Sequence, residues 1–413
     1  MPKIKPFRAI HPSQEYVDKL SVNNKNWSST EVQKNPYSVL PLLIPKLEEQ
    51  LAADAPQPQL TTITVSDNVA RFVDEGWLVK DVKPVIYVYQ IKHADVVQTG
   101  IWTVTAIDDY ISGTIKKHEL TRAEREQKIV DHLEQTGVDA NPVLLAYFAD
   151  PSIQAIISET IIKKPSLYFQ MGDTFHQLWK IDDVHTIASL VKAFANIGTC
   201  YIADGHHRMA ASATLGIAQR EINNDYDQIQ GYNYFNSVYM STDQLQVFEF
   251  NRLVQDMGGI SVSELLNKLT PHFEVRLLDH LKAFSPQKRH DFGMYVDRKW
   301  YQLRAKPHTY SRPDFVSNLD TNILQNYILD PILNIDDPRT NARLSFVGGM
   351  VPLQVSVNQI NKGDYAILFT LFPTSIEQLT TVADAGQIMP PKSTWFEPKF
   401  QSGIMVHQLF EKC

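Results

Sequence analysis

The sequence predicts an α+β fold, with helices and strands mixed along the chain rather than repeated as β-α-β units. Two strand-like runs within residues 84–106, rich in β-branched and aromatic residues and separated by a short polar turn, predict a β-hairpin. Strand-like runs also follow one another directly later in the chain. Of the 413 residues, 43% are apolar and 21% are charged, which is typical of a folded globular protein.

The sequence predicts both ends of the first helix. Thr121 and Glu124 fit a capping box, in which each side chain binds a backbone N–H of the first turn. Gly137 follows the last helical residue and favours the left-handed conformation that ends many helices. In the same way, Gly216 is predicted to end a later helix over residues 209–215.

The remaining elements follow in an irregular order. Apolar and alternating patterns predict strands at residues 142–148, 175–181, 199–203, 232–240, 246–250, 292–295, 300–303 and 365–372. Helical spacing of apolar residues predicts helices at residues 153–162, 184–195, 261–269, 322–329 and 375–383. Residues 50–60 are predicted to form a flexible loop.

Composition argues against several classes of protein. The formal charge of −7 disfavours a nucleic-acid surface and an anionic membrane surface. The two cysteines, Cys200 and Cys413, are too few for a disulfide framework or a four-cysteine zinc site, and they suit a reducing cytosol. The N-terminal residues lack the apolar segment of a signal peptide, and no apolar run approaches the roughly 18 residues of a membrane helix. We therefore expect a cytoplasmic protein with no membrane or nucleic-acid partner.

The strongest chemical signal is Asp204-Gly205-His206-His207-Arg208, which follows an apolar strand and opens a predicted helix. A helix start offers backbone N–H groups and the positive end of the helix dipole, which favours anions. Arg208 can donate two parallel hydrogen bonds to a phosphate, and Asp204 could orient a histidine or bind Mg²⁺. The motif therefore predicts a phosphate site. The alternatives are a simple Asp204 helix cap with surface histidines, or a zinc site, for which cysteine partners are missing.

A second constellation contains Lys117, His118, Glu119 and Arg122 before the predicted helix. A carboxylate here could act as a general base while the cations screen phosphate charge. The alternative is a solvated helix start with an ordinary cap.

A third constellation lies in residues 383–399, where three prolines favour an extended loop. This loop carries Lys392, hydroxyl groups, Trp395 and a carboxylate, so it is a candidate site. The alternative is a C-terminal strap that packs Trp395 and Phe396 over the core.

These stretches resemble the bacterial domain-of-unknown-function family numbered 1015 along nearly the whole chain. The matching stretches are Lys5–Arg8, 84–100, Ile115–Arg122, Tyr201–Arg208, Asn251–Arg252, Asp337–Thr340, Phe346–Gly349 and Ala383–Lys399.

The Asp204–Arg208 element also resembles, more distantly, that of the archaeal free serine kinase of the ParB/sulfiredoxin superfamily. This resemblance implies that Gly205, His206, His207 and Arg208 hold nucleotide phosphate and that Glu119 is the base. Sulfiredoxin has a cysteine where this chain has His206, so cysteine-sulfinic reduction is not expected. Members of the 1015 family usually carry a Pro-Tyr-Asp stretch near the N-terminus, whereas Asn35–Ser38 here lacks the aspartate.

The resemblance implies a ParB/sulfiredoxin-like nucleotide-binding core over residues 1–250. A mixed α/β region over 251–413 would follow, with its proline-rich strap packing back on the core. The implied activity is transfer of a phosphoryl group from ATP or ADP, with Mg²⁺, to a small hydroxyl compound such as a free amino acid like serine. A non-catalytic nucleotide-binding switch, an interaction protein and a homo-oligomer remain open. The predicted site residues are Lys117, His118, Glu119, Asp204 (also as metal ligand), Gly205, His206, His207, Arg208 and Lys392.

Overall fold

The computed structural model describes residues 1–20, 65–224, 229–279 and 282–412. The predicted loop at 50–60, the Asn35–Ser38 stretch and Cys413 lie outside these described residues. The chain divides into two compact units. The first contains Met1–Lys116, Thr121–Leu245 and Pro398–Cys413, and the second contains Lys117–Leu120 and Gln246–Glu397. A boundary between independently folding domains at residue 250 stays a prediction.

Strands and helices of the described residues are numbered here in chain order. The strands are β1 (Ile4–Lys5), β2 (Ile10–Pro12), β3 (Leu78–Lys80), β4 (Ile86–His93), β5 (Val96–Ala106), β6 (Ile115–Lys116), β7 (Val138–Asp139), β8 (Val143–Tyr147), β9 (Leu167–Met171), β10 (Thr174–Ile181), β11 (Cys200–Asp204), β12 (Tyr234–Ser241), β13 (Gln246–Phe248), β14 (Phe250–Val254), β15 (Phe273–Leu278), β16 (Asp291–Val296), β17 (Lys299–Ala305), β18 (Leu344–Gly348), β19 (Ile367–Thr370), β20 (Trp395–Glu397) and β21 (His407–Gln408). The helices are α1 (Val17–Leu20), α2 (Val65–Asp74), α3 (Asp108–Ile111), α4 (Ala123–Thr136), α5 (Pro151–Ile161), α6 (Val184–Asn196), α7 (His206–Asn223), α8 (Val262–Leu269), α9 (Asp320–Leu324), α10 (Leu353–Lys362) and α11 (Ile376–Asp384).

A nine-stranded mixed sheet organises the first unit. Its order is β6-β11-β8-β12-β5-β4-β10-β9, with β1 also pairing with β5. The pairs β6–β11 and β8–β12 are parallel and the others are antiparallel. Apolar side chains from α5, α6 and α7 pack with those of the sheet in one core, which includes the fully buried Phe194 and Tyr239. The predicted α+β class is confirmed, as is the hairpin formed by β4 and β5.

The second unit contains a six-stranded antiparallel sheet in the order β15-β17-β16-β19-β14-β18. Its helix α8 begins with a capping box, in which the Ser261 hydroxyl accepts from the Glu264 N–H and the Glu264 carboxylate accepts from the Ser261 N–H. Leu265 and Leu269 of α8 are fully buried in the core of this unit. The helices predicted at 261–269 and 375–383 are therefore confirmed.

The predicted N-cap of α4 is wrong by one residue. The helix begins at Ala123, and its N-cap is Arg122, whose side chain makes no capping bond. The Thr121 hydroxyl instead donates to Glu126 Oε2 at 3.0 Å, because Thr121 precedes the cap by one residue. The predicted end is confirmed, since Gly137 adopts the left-handed conformation with a φ of 69°.

The sequence predicted that Gly216 ends a helix, and this prediction is wrong. Helix α7 runs through it to Asn223. A methyl group on Gly216 would lie 2.4 Å from the Ile107 side chain and 2.5 Å from the Tyr232 carbonyl oxygen. The glycine therefore permits close packing of α7 on its neighbours, a role that local sequence does not distinguish from helix termination.

Candidate functional site

A sharp turn in the first unit joins β11 to α7. β11 ends at Asp204, and its register with β8 shifts between Ile202 and Asp204. Gly205 has a φ of 104°, a value that L side chains rarely adopt, and α7 begins at the next residue. The 18-residue α7 therefore directs the positive end of its dipole at this turn.

The side chain of Arg208 folds back over this turn. A methyl group on Gly205 would lie 2.9 Å from Arg208 Nη2 and 3.0 Å from Arg208 Nε, so only glycine leaves space for the guanidinium. Arg208 Nη2 donates to Asp204 Oδ2 at 3.1 Å. Lys399 Nζ lies 3.4 Å from the other carboxylate oxygen of Asp204. Two cations therefore converge on one carboxylate beside the helix start.

The two histidines of the turn have different surroundings. His206 is buried, with 6% of its surface exposed. His207 is half-buried, and its Nε2 accepts a hydrogen bond of 3.0 Å from the backbone N–H of Arg122. An accepting Nε2 places the proton of a neutral His207 on Nδ1. His207 thereby links the start of α7 to the start of α4.

Asp139 is a buried carboxyl group that sequence reasoning missed. Its Oδ2 accepts from the backbone N–H of Asn236 at 3.0 Å, and its Oδ1 accepts from that of Asn141 at 3.2 Å. Burial raises the pKa of the Asp139 carboxyl to about 6, although these two N–H groups and the charge of Arg208 lower it. Asp139 lies in β7, where it pairs with His407 of β21, and four residues before β8, whose Leu144 pairs with Asp204. No local sequence pattern marks it as part of the turn.

Lys399 is the last residue of the candidate loop 383–399, but its pairing with Asp204 was not predicted, and its position depends on the C-terminal segment of the first unit. The Ser402 hydroxyl donates to Asn141 Oδ1. Asn236 Nδ2 donates to the Met405 carbonyl oxygen at 2.8 Å. These contacts fix the segment next to the residues that hold Asp139. No local pattern connects Lys399 with Asp204, because the two residues lie far apart in the sequence.

The other predicted site residues, Lys117, His118, Glu119 and Lys392, belong to the second unit. His118 is buried, with 2% exposed; its carbonyl oxygen accepts from the Met389 N–H at 2.8 Å, and its Nε2 lies 3.5 Å from Thr394 Oγ1. Glu119 is half-buried, and Lys117 is exposed. Lys392 is exposed and has a φ of 56°, and its Nζ lies 5.3 Å from the centre of the Phe250 ring. The structure thus brings His118 to the loop that contains Lys392.

The described residues do not offer a resident metal site. Among them, no group of three or more His, Cys, Asp or Glu side chains is placed to bind a metal ion. Asp204, the predicted Mg²⁺ ligand, carries Arg208 and Lys399 on its two oxygens, and this cationic surrounding does not fit a further cation.

The comparison with known families decides where the chain belongs. The model of a family described as protein of unknown function, DUF1015, matches residues 4–322. The chain is a member of the DUF1015 family. No curated protein matches it. As a DUF1015 protein it extends beyond the matched region through the loop that contains Lys392 and the segment that contains Lys399.

Solved structures with similarity to this DUF1015 protein include a free serine kinase in complex with AMP. That chain is 12% identical with a TM-score of 0.40, and the alignment covers 75% of this chain and 91% of the kinase. A conserved hypothetical protein from Pyrococcus furiosus is 14% identical with a TM-score of 0.38, and the coverage is 75% and 97%. SbnI from Staphylococcus aureus, truncated at its C-terminus, is 11% identical with a TM-score of 0.38, and the coverage is 74% and 87%. At these identities and TM-scores, the similarity does not establish an activity for this chain.

Among the helices of the described ranges, none combines the length and the apolar character that a bilayer-spanning segment requires.

Proposed function

We propose that this protein is a nucleotide-dependent phosphotransferase whose first unit binds nucleotide phosphate at the turn between β11 and α7. The acceptor would be a small hydroxyl compound such as a free amino acid like serine, and the donor ATP or ADP. A ParB/sulfiredoxin-like relationship of the first unit belongs to the same proposal. It rests on the resemblance of the Asp204–Arg208 element.

The placement of Arg208 over Gly205 carries the proposal. A guanidinium held at a helix start meets a phosphate with two charge-assisted hydrogen bonds, and its position is already fixed before the ligand arrives. Lys399 adds a second cation beside the same carboxylate at 3.4 Å. A bound phosphate would replace Asp204 as the partner of these cations, and their positive charge would stabilise the phosphoryl oxygens during transfer.

The transfer itself needs little covalent chemistry from the protein. The acceptor oxygen forms a bond to the terminal phosphorus as the bond to the nucleotide oxygen breaks, and the acceptor proton passes to a base. The resemblance of the sequence to the free serine kinase implies that Glu119 is this base, and Lys117 and His118 precede it in the chain. Glu119 belongs to the second unit, so its role as the base is a separate proposal, which Glu119→Gln tests in the assay below.

The direct experiment incubates the full chain with L-serine, Mg²⁺ and either ADP or ATP, and measures phosphoserine by mass spectrometry. We expect product with the wild-type protein and with Arg125→Ala, which removes an exposed arginine from the surface of α4. Arg208→Ala should form at least tenfold less product, since it loses charge-assisted bonds of about 1.5–3 kcal/mol. Formation of no phosphoserine by the wild-type protein with either nucleotide would reject the serine kinase proposal.

One observation favours a binding-only alternative. The Asp204 carboxylate, an acid–base candidate at the turn, is paired with two cations of its own chain and is thus held as an ion-pair partner. A nucleotide-binding switch would bind ADP or ATP in an Arg208-dependent way without forming a phosphorylated product and without dependence on an amino acid. The same assay, combined with a nucleotide titration, separates the two functions.

A further inference from the structure

Arg252 of β14 is a buried cation of the second unit. Only 3% of its surface is exposed, and its guanidinium carbon lies 4.5 Å from the centre of the ring of Phe346, the residue opposite it on β18. Burial lowers the pKa of the guanidinium to about 9, and no carboxylate of the described residues raises it again. Buried charges are normally paired, so a guanidinium without an anionic partner calls for an explanation.

The hydrogen bonds of Arg252 join its strand to a loop. Nη1 donates to the carbonyl oxygen of Phe250 at 2.6 Å. Nη2 donates to the carbonyl oxygen of Lys392 at 3.1 Å, and the carbonyl oxygen of Pro391 lies 3.5 Å away. A planar guanidinium carries five N–H donors in a fixed arrangement, so one side chain can hold the strand and the loop together. Arg252 therefore fixes the backbone at Lys392.

Lys392 adopts an unusual backbone conformation in this loop. Its φ of 56° is left-handed, which costs a residue other than glycine about 1–2 kcal/mol. Such conformations persist where the surrounding structure imposes them, and they are concentrated at functional sites. The bond from Arg252 is one contact that imposes this conformation on Lys392.

The side chain of Lys392 is exposed, and it lies on the same face of β14 as Arg252. Its Nζ lies 5.3 Å from the centre of the Phe250 ring, which also packs against Trp395 with centroids 5.2 Å apart. Phe250 and Arg252 are two residues apart on one strand, so their side chains share a face. Neither Lys392 nor Arg252 forms an ion pair with a residue of the described ranges. One surface cation and one buried cation thus lie close together without a carboxylate.

The loop that contains Lys392 also contacts the segment of the proposed base. The Met389 N–H donates to the His118 carbonyl oxygen at 2.8 Å, and Thr394 Oγ1 lies 3.5 Å from His118 Nε2. Glu119 follows His118 in the chain, and all of these residues belong to the second unit. An acceptor whose hydroxyl lay at Glu119 would therefore have its remaining polar groups near this loop.

We propose that Lys392 binds the carboxylate of the acceptor and that Arg252 is a positioning residue that holds Lys392 in place. The unpaired charge of Arg252 beneath the loop adds to the attraction for an anion. Phosphate binding is proposed for the first unit, so the carboxylate is the anionic group that an amino acid acceptor brings to the second. The identity of the ligand as the acceptor rests on the proposed phosphotransfer, whereas carboxylate binding at Lys392 does not.

The test titrates three small molecules into the full chain and follows binding by ligand-observed NMR. L-serine and 3-hydroxypropanoate both carry a carboxylate and a hydroxyl group. Serinol is the ligand control, because it has a hydroxymethyl group in place of the carboxylate of serine. We expect saturable binding of both carboxylates below about 10 mM and severalfold weaker binding of serinol.

Two variants assign the binding to this loop. Lys392→Gln should weaken binding of both carboxylates severalfold without changing that of serinol, whereas Lys362→Gln, at an exposed lysine of α10 in the same unit, should change neither. Arg252→Lys keeps the charge, but a single ammonium does not hold strand and loop as the guanidinium does. It should weaken carboxylate binding severalfold and speed hydrogen exchange at the Met389 N–H. A merely structural role of Arg252 would lower stability and leave the preference for carboxylates over serinol unchanged.

Lys392→Gln decides the proposal even if Arg252→Lys does not fold, since Lys392 is exposed. The proposal is overturned if neither carboxylate binds, if serinol binds equally well, or if Lys392→Gln binds carboxylates like Lys362→Gln. Carboxylate binding by a protein that forms no phosphoserine would reject the kinase proposal and support this site. Phosphoserine formation by Lys392→Gln with an unchanged KM for serine would support the kinase proposal and reject this site.

Discussion

Replacing Gly205 with alanine would disturb both the backbone of the turn and the position of Arg208. The φ of 104° lies outside the range that alanine readily adopts, and a left-handed conformation costs a non-glycine residue about 1–2 kcal/mol. The new methyl group would lie 2.9 Å and 3.0 Å from two guanidinium nitrogens, so Arg208 must move away from the turn. Because a charge-assisted hydrogen bond contributes about 1.5–3 kcal/mol, we expect the affinity for ADP to fall roughly tenfold to hundredfold.

Gly113→Ala is the matched control for this substitution. Gly113 also has a positive φ, 77°, but a methyl group there would meet no atom within 4 Å. Urea unfolding should show a loss of about 1–2 kcal/mol for Gly113→Ala and at least as much for Gly205→Ala, whereas calorimetry should show weakened ADP binding for Gly205→Ala alone. If Gly205→Ala binds ADP as tightly as the wild-type protein, the argument that Arg208 must lie over Gly205 is refuted.

Three further predictions concern the first unit. Gly216→Ala should lower the free energy of unfolding, measured in urea, by about 1–3 kcal/mol, because its methyl group would lie 2.5 Å from a backbone carbonyl oxygen. Gly198→Ala is the control, since a methyl group there meets nothing within 4 Å and should not show this packing cost. Equal stabilities of the two variants would contradict the packing argument. Burial lowers the pKa of His407 from 6.5 to about 4, so between these pH values the folded state binds fewer protons than the unfolded state, and the free energy of unfolding falls as the pH falls from 6.5 towards 4. Over this pH range the free energy of unfolding of His407→Phe should fall by about 3 kcal/mol less than that of the wild-type protein. Identical pH profiles of stability for the two proteins would contradict this prediction. Lys399→Ala should weaken ADP binding severalfold relative to Lys83→Ala, and no difference in calorimetry would remove Lys399 from the site.

Local sequence patterns predicted most elements of this fold. The hairpin of β4 and β5 and the end of α4 at Gly137 follow from short-range preferences, and both are confirmed. The two errors have a shared cause. Gly216 and Thr121 are residues whose usual local roles are helix termination and capping, but their roles here depend on neighbours elsewhere in the fold. Glycine spacing alone does not reveal that Gly216 lies against Tyr232.

The candidate site was predictable only in part for the same reason. Asp204, Gly205 and Arg208 are adjacent in sequence, so the turn and its charges were visible as a motif. Asp139 lies in no motif, and its link to the turn is the charge of Arg208 acting on its carboxyl group. Lys399 ends the candidate loop 383–399, but its pairing with Asp204 joins residues that are far apart in the sequence. The sequence therefore predicted the turn as a candidate site, but it did not predict that the charges of Asp139 and Lys399 lie near it.

The central claim is that the turn from Asp204 to Arg208 binds nucleotide phosphate. Its most direct test is calorimetric titration of the full chain with ADP in the presence of Mg²⁺, for the wild-type protein, Arg208→Ala and the surface control Arg125→Ala. We predict saturable binding to the wild-type protein and to Arg125→Ala, and binding at least tenfold weaker for Arg208→Ala. Absence of binding to the wild-type protein, or equal affinity of Arg208→Ala and Arg125→Ala, would contradict the claim.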